Sequence, residues 1–414
     1  MAKTSNTDNI GGFNLAPKQL LRQDTVDITN CIILEKELST IEMENKYENL
    51  KKQIYSEPSI SENKKSKQPY YKCFKKSAFN NCFKVGHDGV SFQINTYTPP
   101  NLEEIIEDDE KYKNIPIYVA VHGAGSSSYT FNTLCSHLKC LNPNMIFVSY
   151  DLRGHGKTIQ TDKVNTSYNI SEFVEDTRCV LIHSLKKIFY NISLPKKTSI
   201  IFIGHSLGGS ICTHLVASTK ETQKKAKEEI YWEKNVLGLI LLDIIEEVAI
   251  DSLSQMAGVI QKTVNKFSNL KQCLKWHLEN HIVQNYDSAK FSVPYLFKIC
   301  HFENNKYYLK RITNLDDFQP YWNTWFTGLS DRFVNCRGVS KLLILSGADQ
   351  RNQALDKDLM IGQMQGKFQL NIFNNGGHFI HEDCDFNVAI TIDEFVKRND
   401  NKLIAIKTNW KSLS

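Results

Sequence analysis

The segment 204–208 (GHSLG) constrains the fold of this chain more than any other segment. It directly follows residues 199–203 (SIIFI), an apolar run that predicts a buried strand, and it precedes a run that predicts a helix. A G-x-S-x-G pentapeptide between a strand and a helix places its serine on a sharp turn at the carboxyl end of a sheet. The segment therefore predicts that Ser206 is an exposed nucleophile on an α/β sheet.

The composition is that of an ordinary globular protein, since 41% of the 414 residues are hydrophobic and 23% are charged. The formal net charge of +5, without a basic stripe, argues against a nucleic-acid partner. The 11 cysteines include no C-x-x-C pair, so we expect reduced thiols, no metal and no cofactor. The amino terminus lacks the apolar core of a signal peptide, and the longest apolar run, 236–242, is too short to span a bilayer. We expect no membrane contact and a cytoplasmic protein, with the short basic run 64–67 also permitting a nuclear location.

The order of the predicted elements indicates an α/β fold. Residues 1–68 are polar and predict a flexible arm outside the core. Strand and helix patterns then alternate, which predicts a mostly parallel central sheet with helices on both faces. Residues 244–340, called the insertion below, are mostly helical in pattern and predict a cap over the carboxyl ends of the strands. The core thus comprises 69–243 and 341–400, followed by a tail, 401–414.

A serine nucleophile needs a base within hydrogen-bond reach and an acid that orients the base. His378 follows two glycines after the last predicted strand and is the favoured base. His381 is less favoured, because it sits beside two acidic residues where a surface ion pair is the simpler explanation. Two aspartates compete for the role of the acid: Asp349 follows the penultimate strand and Asp243 ends an earlier one. The pattern alone slightly favours Asp349.

The predicted oxyanion hole lies after the strand that ends at Val121. Residues 121–125 (VHGAG) form a glycine-rich loop at that point, and we expect Ala124 to donate one backbone N–H. The second donor would be the N–H of Leu207, at the start of the helix after the serine. In the insertion, Trp322 and Trp325 could line a substrate groove, although their helical spacing favours a role in the core of the cap.

Four segments carry a more specific resemblance. They are 242–246 (LDIIE), 321–330 (YWNTWFTGLS), 356–369 (DKDLMIGQMQGKFQ) and 377–383 (GHFIHED), and they resemble the protein phosphatase methylesterases of the α/β-hydrolase superfamily. The resemblance covers roughly residues 72–398. It implies an α/β-hydrolase fold with a helical cap. It also implies a serine esterase that removes the methyl ester from the C-terminal leucine of the type-2A protein phosphatase catalytic subunit and releases methanol.

The resemblance also assigns site residues. The family's nucleophile, acid and base map onto Ser206, Asp243 and His378, which reverses the preference for Asp349 and leaves that residue in reserve. The implied partner is the C-terminal tail and active-site face of the phosphatase subunit. The residues expected to contact substrate or partner are Gly123, Glu246, Trp322, Trp325 and Gln363.

Two other functions stay open at this point. A general carboxylesterase or lipase would use the same triad on small esters, and would need an open apolar tunnel for the acyl group. A phosphatase-binding regulator with little turnover would need no triad, so the presence of both Ser206 and His378 weighs against it.

Overall fold

The computed structural model describes residues 77–160, 167–190, 194–222, 232–301, 307–347 and 354–400. The predicted arm (1–68), the tail (401–414) and Asp349 lie outside these residues. Nine of the described strands form one sheet. Eight of them follow the order β1-β2-β4-β3-β6-β7-β11-β12, and β5 pairs with β2. Its members are β1 (Asn81–His87), β2 (Val90–Tyr97), β3 (Ile115–Val121), β4 (Ile146–Tyr150), β5 (Ile159–Gln160), β6 (Thr198–His205), β7 (Val236–Leu242), β11 (Ser340–Ser346) and β12 (Gln369–Phe373).

The central strands of this sheet are parallel, from β4 through β3, β6, β7 and β11 to β12. The strands β1, β2 and β5 pair antiparallel at one edge. All seven residues of β3 and all eight of β6 are buried, which is typical of parallel strands covered on both faces. The predicted α/β fold with a mostly parallel sheet is confirmed.

Helices cover both faces of the sheet. On one face, α3 and α4 pack their apolar sides into a core with β6, and on the other face α2 and α12 do the same. The described α-helices outside the insertion are α1 (Leu102–Glu107), α2 (Asn132–Leu141), α3 (Ile170–Ile188), α4 (Leu207–Thr222), α10 (Lys357–Met364), α11 (Ile380–Asp383) and α12 (Asp385–Asn399). Among the described residues, no helix combines the length and apolar character that crossing a bilayer requires.

The insertion contains both helices and a small sheet. Its helices are α5 (Glu246–Lys262), α6 (Leu270–Glu279), α7 (Tyr286–Ser292), α8 (Trp322–Phe326) and α9 (Leu329–Asn335). Its strands β8 (Lys266–Phe267), β9 (Phe297–His301) and β10 (Tyr307–Arg311) form an antiparallel sheet in the order β8-β10-β9. The helical pattern did not predict this sheet, because β8 has two residues and β9 lacks a clear alternation of buried and exposed positions.

Short 3₁₀ helices complete the described elements. They are Ser128–Phe131, Glu233–Asn235, Val293–Leu296 and Leu315–Tyr321. Side-chain caps fix the start of two helices in the insertion: Asn269 accepts from the N–H of Gln272, and Asn285 accepts from the N–H groups of Asp287 and Ser288. Such caps satisfy N–H groups that a helix leaves without a partner in its first turn.

Candidate active site

Ser206 lies on a strained turn between β6 and α4. Its φ of 51° is in the left-handed region, and its N–H donates to the carbonyl of Leu242 at 3.1 Å. The flanking glycines are sterically required, since a Cβ on Gly204 would lie 2.3 Å from the oxygen of Gly208, and a Cβ on Gly208 would lie 2.0 Å from the oxygen of Val121. Strain of this kind is typical of a nucleophile that the backbone presents to a substrate.

Asp243 and His378 meet at the carboxyl edge of the sheet. Asp243 follows β7, and its fully buried side chain accepts from the N–H of Ser346 at 2.8 Å through Oδ1. Its Oδ2 lies 2.8 Å from Nδ1 of His378. Because a carboxylate only accepts hydrogen bonds, Nδ1 carries the proton and Nε2 of a neutral imidazole keeps its lone pair. The arrangement therefore provides an oriented base.

Ser206 and His378, the predicted nucleophile and base, are close in the fold, but their side chains are not hydrogen-bonded. His205, which precedes the nucleophile, donates through Nε2 to the carbonyl of His378 at 2.9 Å. In the described part of the chain, the hydroxyl of Ser206 makes no hydrogen bond with the imidazole of His378. The His378 side chain is 45% exposed, so solvent and substrate reach it from outside.

The loop after β3 approaches the serine closely. A Cβ on Gly123 would lie 3.0 Å from both Cβ of Ser206 and Nδ1 of His205, so a larger residue there would have to displace these side chains. Ala124 is exposed, and its N–H has no acceptor in the described residues. Leu207 is the first residue of α4, where backbone N–H groups have no partner within the helix. Both predicted oxyanion donors are thus available.

Buried histidines support this loop in neutral form. Burial lowers the pKa of His122 to about 4 and that of His155 to about 3. His122 donates through Nδ1 to the carbonyl of Gly123 at 2.8 Å and accepts from the N–H of Leu152 at 3.0 Å. His155 accepts from the N–H of Gly125 at 2.9 Å. Hydrogen bonds to two neutral histidines therefore help to set the shape of the loop.

The residues expected to contact substrate or partner have different surroundings. The carboxylate of Glu246 accepts from the N–H groups of Gly328 and Ser330, at 2.6 and 2.8 Å, and so holds one part of the insertion to another. Trp322 and Trp325 are 8% and 2% exposed, respectively, so internal packing accounts for both tryptophans.

Gln363 is the exposed member of that set. It lies on α10, next to Met364, whose side chain is 84% exposed. Met360 and Ile361 of the same helix are also exposed, so α10 carries several exposed apolar side chains near Gln363.

The expectation of a surface ion pair around His381 is wrong. His381 and Glu382 are 0% and 1% exposed, because α7 of the insertion covers them. The carboxylate of Glu382 accepts from three hydroxyls, those of Thr130, Ser288 (3.0 Å) and Ser292 (2.6 Å). Burial raises the pKa of this carboxyl to about 7.

Asp383 joins the insertion to the loop that carries His378. Its Oδ1 accepts from the N–H groups of Gln284 and Asn285, at 2.7 and 3.4 Å, respectively. Its Oδ2 accepts from the N–H of Gly377, the residue before the base, at 2.8 Å. Sequence reasoning missed this link, although the acidic pair in the segment 377–383 was the available signal.

We expect Glu382 to make the stability of the protein depend on pH. Between about pH 4.5 and 7 the folded protein holds a proton that the unfolded chain has released. The stabilisation from Glu382 is therefore full below about pH 4.5 and is lost as the pH rises through about 7. A shift of this size corresponds to a change on the order of 3 kcal/mol in the free energy of unfolding.

Glu382→Gln removes this dependence, since glutamine is neutral at both ends of the range. Urea unfolding at pH 5 and pH 8 should show the wild type losing stability relative to the variant as the pH rises. The control is Glu394→Gln, an exposed position on α12, which should shift nothing. A wild type that instead gained stability relative to Glu382→Gln at pH 8 would contradict the raised pKa.

The described residues contain no group of three or more His, Cys, Asp or Glu side chains placed to hold a metal ion. The groups that the site offers to a substrate are an oriented imidazole, a strained serine and two backbone donors.

Similarity to known proteins identifies the family to which this chain belongs. The profile of the alpha/beta hydrolase family matches residues 118–389. Solved structures with a similar fold include E-2-(acetamidomethylene)succinate hydrolase, with a TM-score of 0.55 and 15% identity over 77% of this chain and 99% of that one. An esterase of M. tuberculosis has a TM-score of 0.51 and 16% identity over 77% and 92% of the two chains. At these identities the likeness concerns the fold alone.

Curated proteins found by sequence are more similar to this chain than these solved structures are. "Protein phosphatase methylesterase 1" of Kluyveromyces lactis is 39% identical over 78% of this chain and 76% of its own length. The proteins of that name from Candida glabrata and Saccharomyces cerevisiae are 42% and 38% identical, over 72% and 85% of this chain and over 73% and 82% of their own lengths. The chain therefore belongs to the protein phosphatase methylesterase family of α/β hydrolases, and it is a hydrolase that acts on a carboxylic ester bond.

Proposed function

We propose that this enzyme removes the methyl ester from the C-terminal leucine of the catalytic subunit of a type-2A protein phosphatase. The observation that carries the proposal is the 2.8 Å hydrogen bond between Asp243 and His378, beside a serine held at a φ of 51°. Relatives named for this substrate class, with 38–42% identity over most of both chains, favour a phosphatase over a small ester.

The first half of the reaction forms an acyl-enzyme. Nε2 of His378 takes the proton of Ser206 as Oγ attacks the ester carbon and a new C–O bond forms. The carbonyl π bond becomes an oxyanion that accepts from the N–H groups of Ala124 and Leu207. The bond to the methoxy oxygen then breaks, and His378 returns its proton so that methanol leaves. Asp243 stays ionised throughout and stabilises the imidazolium.

The second half reverses these roles with water. His378 takes a proton from a water molecule, whose oxygen attacks the acyl carbon. The bond to Oγ of Ser206 breaks, and the serine regains the proton from His378. The product carries a free leucine carboxylate. Each backbone donor of the oxyanion hole is typically worth about 3–4 kcal/mol in such a reaction.

The hydrogen bond between nucleophile and base would form as substrate arrives. Hydrogen bonds of this kind are often long or absent before substrate binds and tighten in the complex. Here the exposed imidazole makes its hydrogen bond to the described residues through Nδ1, and its loop is tied to the insertion by Asp383. Closure of the insertion on the phosphatase would then complete the triad, which restricts turnover to the correct partner.

The deciding experiment follows methanol release from carboxymethylated phosphatase catalytic subunit. We expect the wild type to demethylate it with a kcat/KM at least about 100-fold above that for a methyl ester of acetyl-leucine, because remote binding energy is used at the reacting centre. The unmethylated subunit is the control and should release none. Equal or better turnover of the small ester would instead favour a general carboxylesterase. Capture of the subunit without methanol release would favour a binding regulator.

A further inference from the structure

Arg311 contacts the glycine-rich loop 121–125, which holds the proposed oxyanion donor, and its guanidinium is only partly hydrogen-bonded. It is the last residue of β10, and its Nη2 donates to the carbonyl of Gly125 at 3.2 Å. Nε and Nη1 are shielded from solvent and have no hydrogen-bond partner in the described residues. The guanidinium carbon lies 5.7 Å from the ring centroid of Phe297. Most buried polar groups in proteins are hydrogen-bonded. Two guanidinium nitrogens without a described acceptor therefore require an explanation.

No negative charge compensates this cation in the described residues. Burial lowers the pKa of His277 to about 4, and that of His155 to about 3, with the charge of Arg311 adding to both shifts. Burial raises the pKa of the Cys273 thiol far above its usual value. These groups are therefore neutral at pH 7. Burial also lowers the pKa of Arg311, but an arginine titrates so high that it stays charged.

The position of the charge is significant. Gly125 follows Ala124, whose N–H is the proposed oxyanion donor, so chain geometry places the guanidinium roughly 10 Å from the oxyanion. Opposite unit charges at about that distance, with an effective dielectric constant of about 20, attract strongly enough to change a rate by about tenfold. An uncompensated charge fixed in place before the reaction needs no reorganisation when the oxyanion forms.

We propose that Arg311 is a positioning residue of the oxyanion hole: it fixes the loop through Gly125, and its uncompensated charge stabilises the transition-state oxyanion. The proposal rests on the proposed function only in requiring acyl transfer at Ser206. It does not depend on which ester is cleaved. It also explains why this position carries a cation that has no described carboxylate beside it, since a residue that only supported the loop would be as well served by an uncharged donor.

The test compares Arg311→Met with Arg311→Lys on a small activated ester, p-nitrophenyl acetate. We expect Arg311→Met to lower kcat about tenfold with little change in KM, and Arg311→Lys to keep most of the activity because the charge remains. Phenylboronic acid, which forms an anionic tetrahedral adduct with a serine, should bind Arg311→Met about tenfold more weakly. The control is Arg332→Met, an exposed arginine that also donates to a backbone carbonyl, that of Thr327.

The melting temperature of Arg311→Met distinguishes a role in stabilising the oxyanion from a role in stabilising the fold. Removal of an unpaired buried charge should leave the melting temperature of Arg311→Met unchanged or higher. A lower melting temperature with unchanged kcat and boronate affinity would overturn the proposal, as would equal loss of kcat in the lysine and methionine variants. If the wild type cleaves p-nitrophenyl acetate but not the methylated phosphatase, the proposed function fails while this test still decides the role of Arg311.

Discussion

Ser206→Ala should reduce demethylation of the phosphatase subunit by about 10⁵- to 10⁶-fold, because members of a triad act as a unit and no second nucleophile replaces the hydroxyl. Single-turnover methanol release at saturating enzyme measures this loss directly. The backbone at Ser206 is strained at a φ of 51°, but alanine carries the same Cβ and adds no new clash. The variant should therefore melt close to the wild-type temperature.

The same variant also tests whether binding and turnover are separate. Ser206→Ala should still capture the phosphatase subunit, since the substitution removes one hydroxyl and leaves the predicted contact residue Gln363 on the surface unchanged. A variant that retained more than about 1% of wild-type turnover would exclude Ser206 as the nucleophile.

Asp243→Asn should lower kcat by about 10⁴-fold, with a much smaller change in KM, because a loss of this size is typical when the aspartate of a Ser-His-Asp triad becomes asparagine. An asparagine can present its amide N–H to Nδ1 of His378, and this favours the tautomer whose Nε2 carries the proton and cannot act as a base. The bond from the N–H of Ser346 to Oδ1 can persist, so the variant should fold.

Asp349→Asn is the matched control for the acid. It changes the aspartate that was held in reserve as the acid, and we expect turnover within about twofold of the wild type. Steady-state methanol release, measured for Asp243→Asn and Asp349→Asn in parallel, decides which aspartate is the acid. Loss of activity in Asp349→Asn with activity kept in Asp243→Asn would transfer the role of the acid to Asp349.

The turn that carries Ser206 was predictable because its geometry is local. An apolar strand, two glycines and a helix within about 20 residues dictate the turn at Ser206 whatever the rest of the chain does. The sheet was predictable for a similar reason, since short apolar runs such as β3 and β6 are typical of parallel strands that helices cover on both faces.

The acid was not predictable from the pattern. Asp243 and Asp349 both follow strands, and strand ends of a parallel sheet meet at one edge, so the pattern gave only a slight preference, which was for Asp349. The hydrogen bond from His378 to Asp243 depends on how the loop after β12 folds back over β7, which is tertiary information. The resemblance to a family supplied that information before the structure did.

The buried layer under His378 was misjudged for a related reason. A histidine followed by two acidic residues is most often solvated, and composition gives no sign that α7 covers it. The hydroxyls that satisfy Glu382 come from Thr130, Ser288 and Ser292, which lie 90 or more positions away in sequence. Only the packed fold brings these groups together.

The link through Asp383 has a consequence for exchanging parts between related enzymes. One carboxylate accepts from Gln284 in the insertion and from Gly377 beside the base. An insertion grafted from another α/β hydrolase would leave one oxygen of that carboxylate without its donor, and the loop carrying the imidazole would lose its brace. The insertion and the loop that carries His378 therefore depend on each other in this protein. A chimera must keep both Asp383 and its donors in the insertion if it is to combine a new substrate range with turnover.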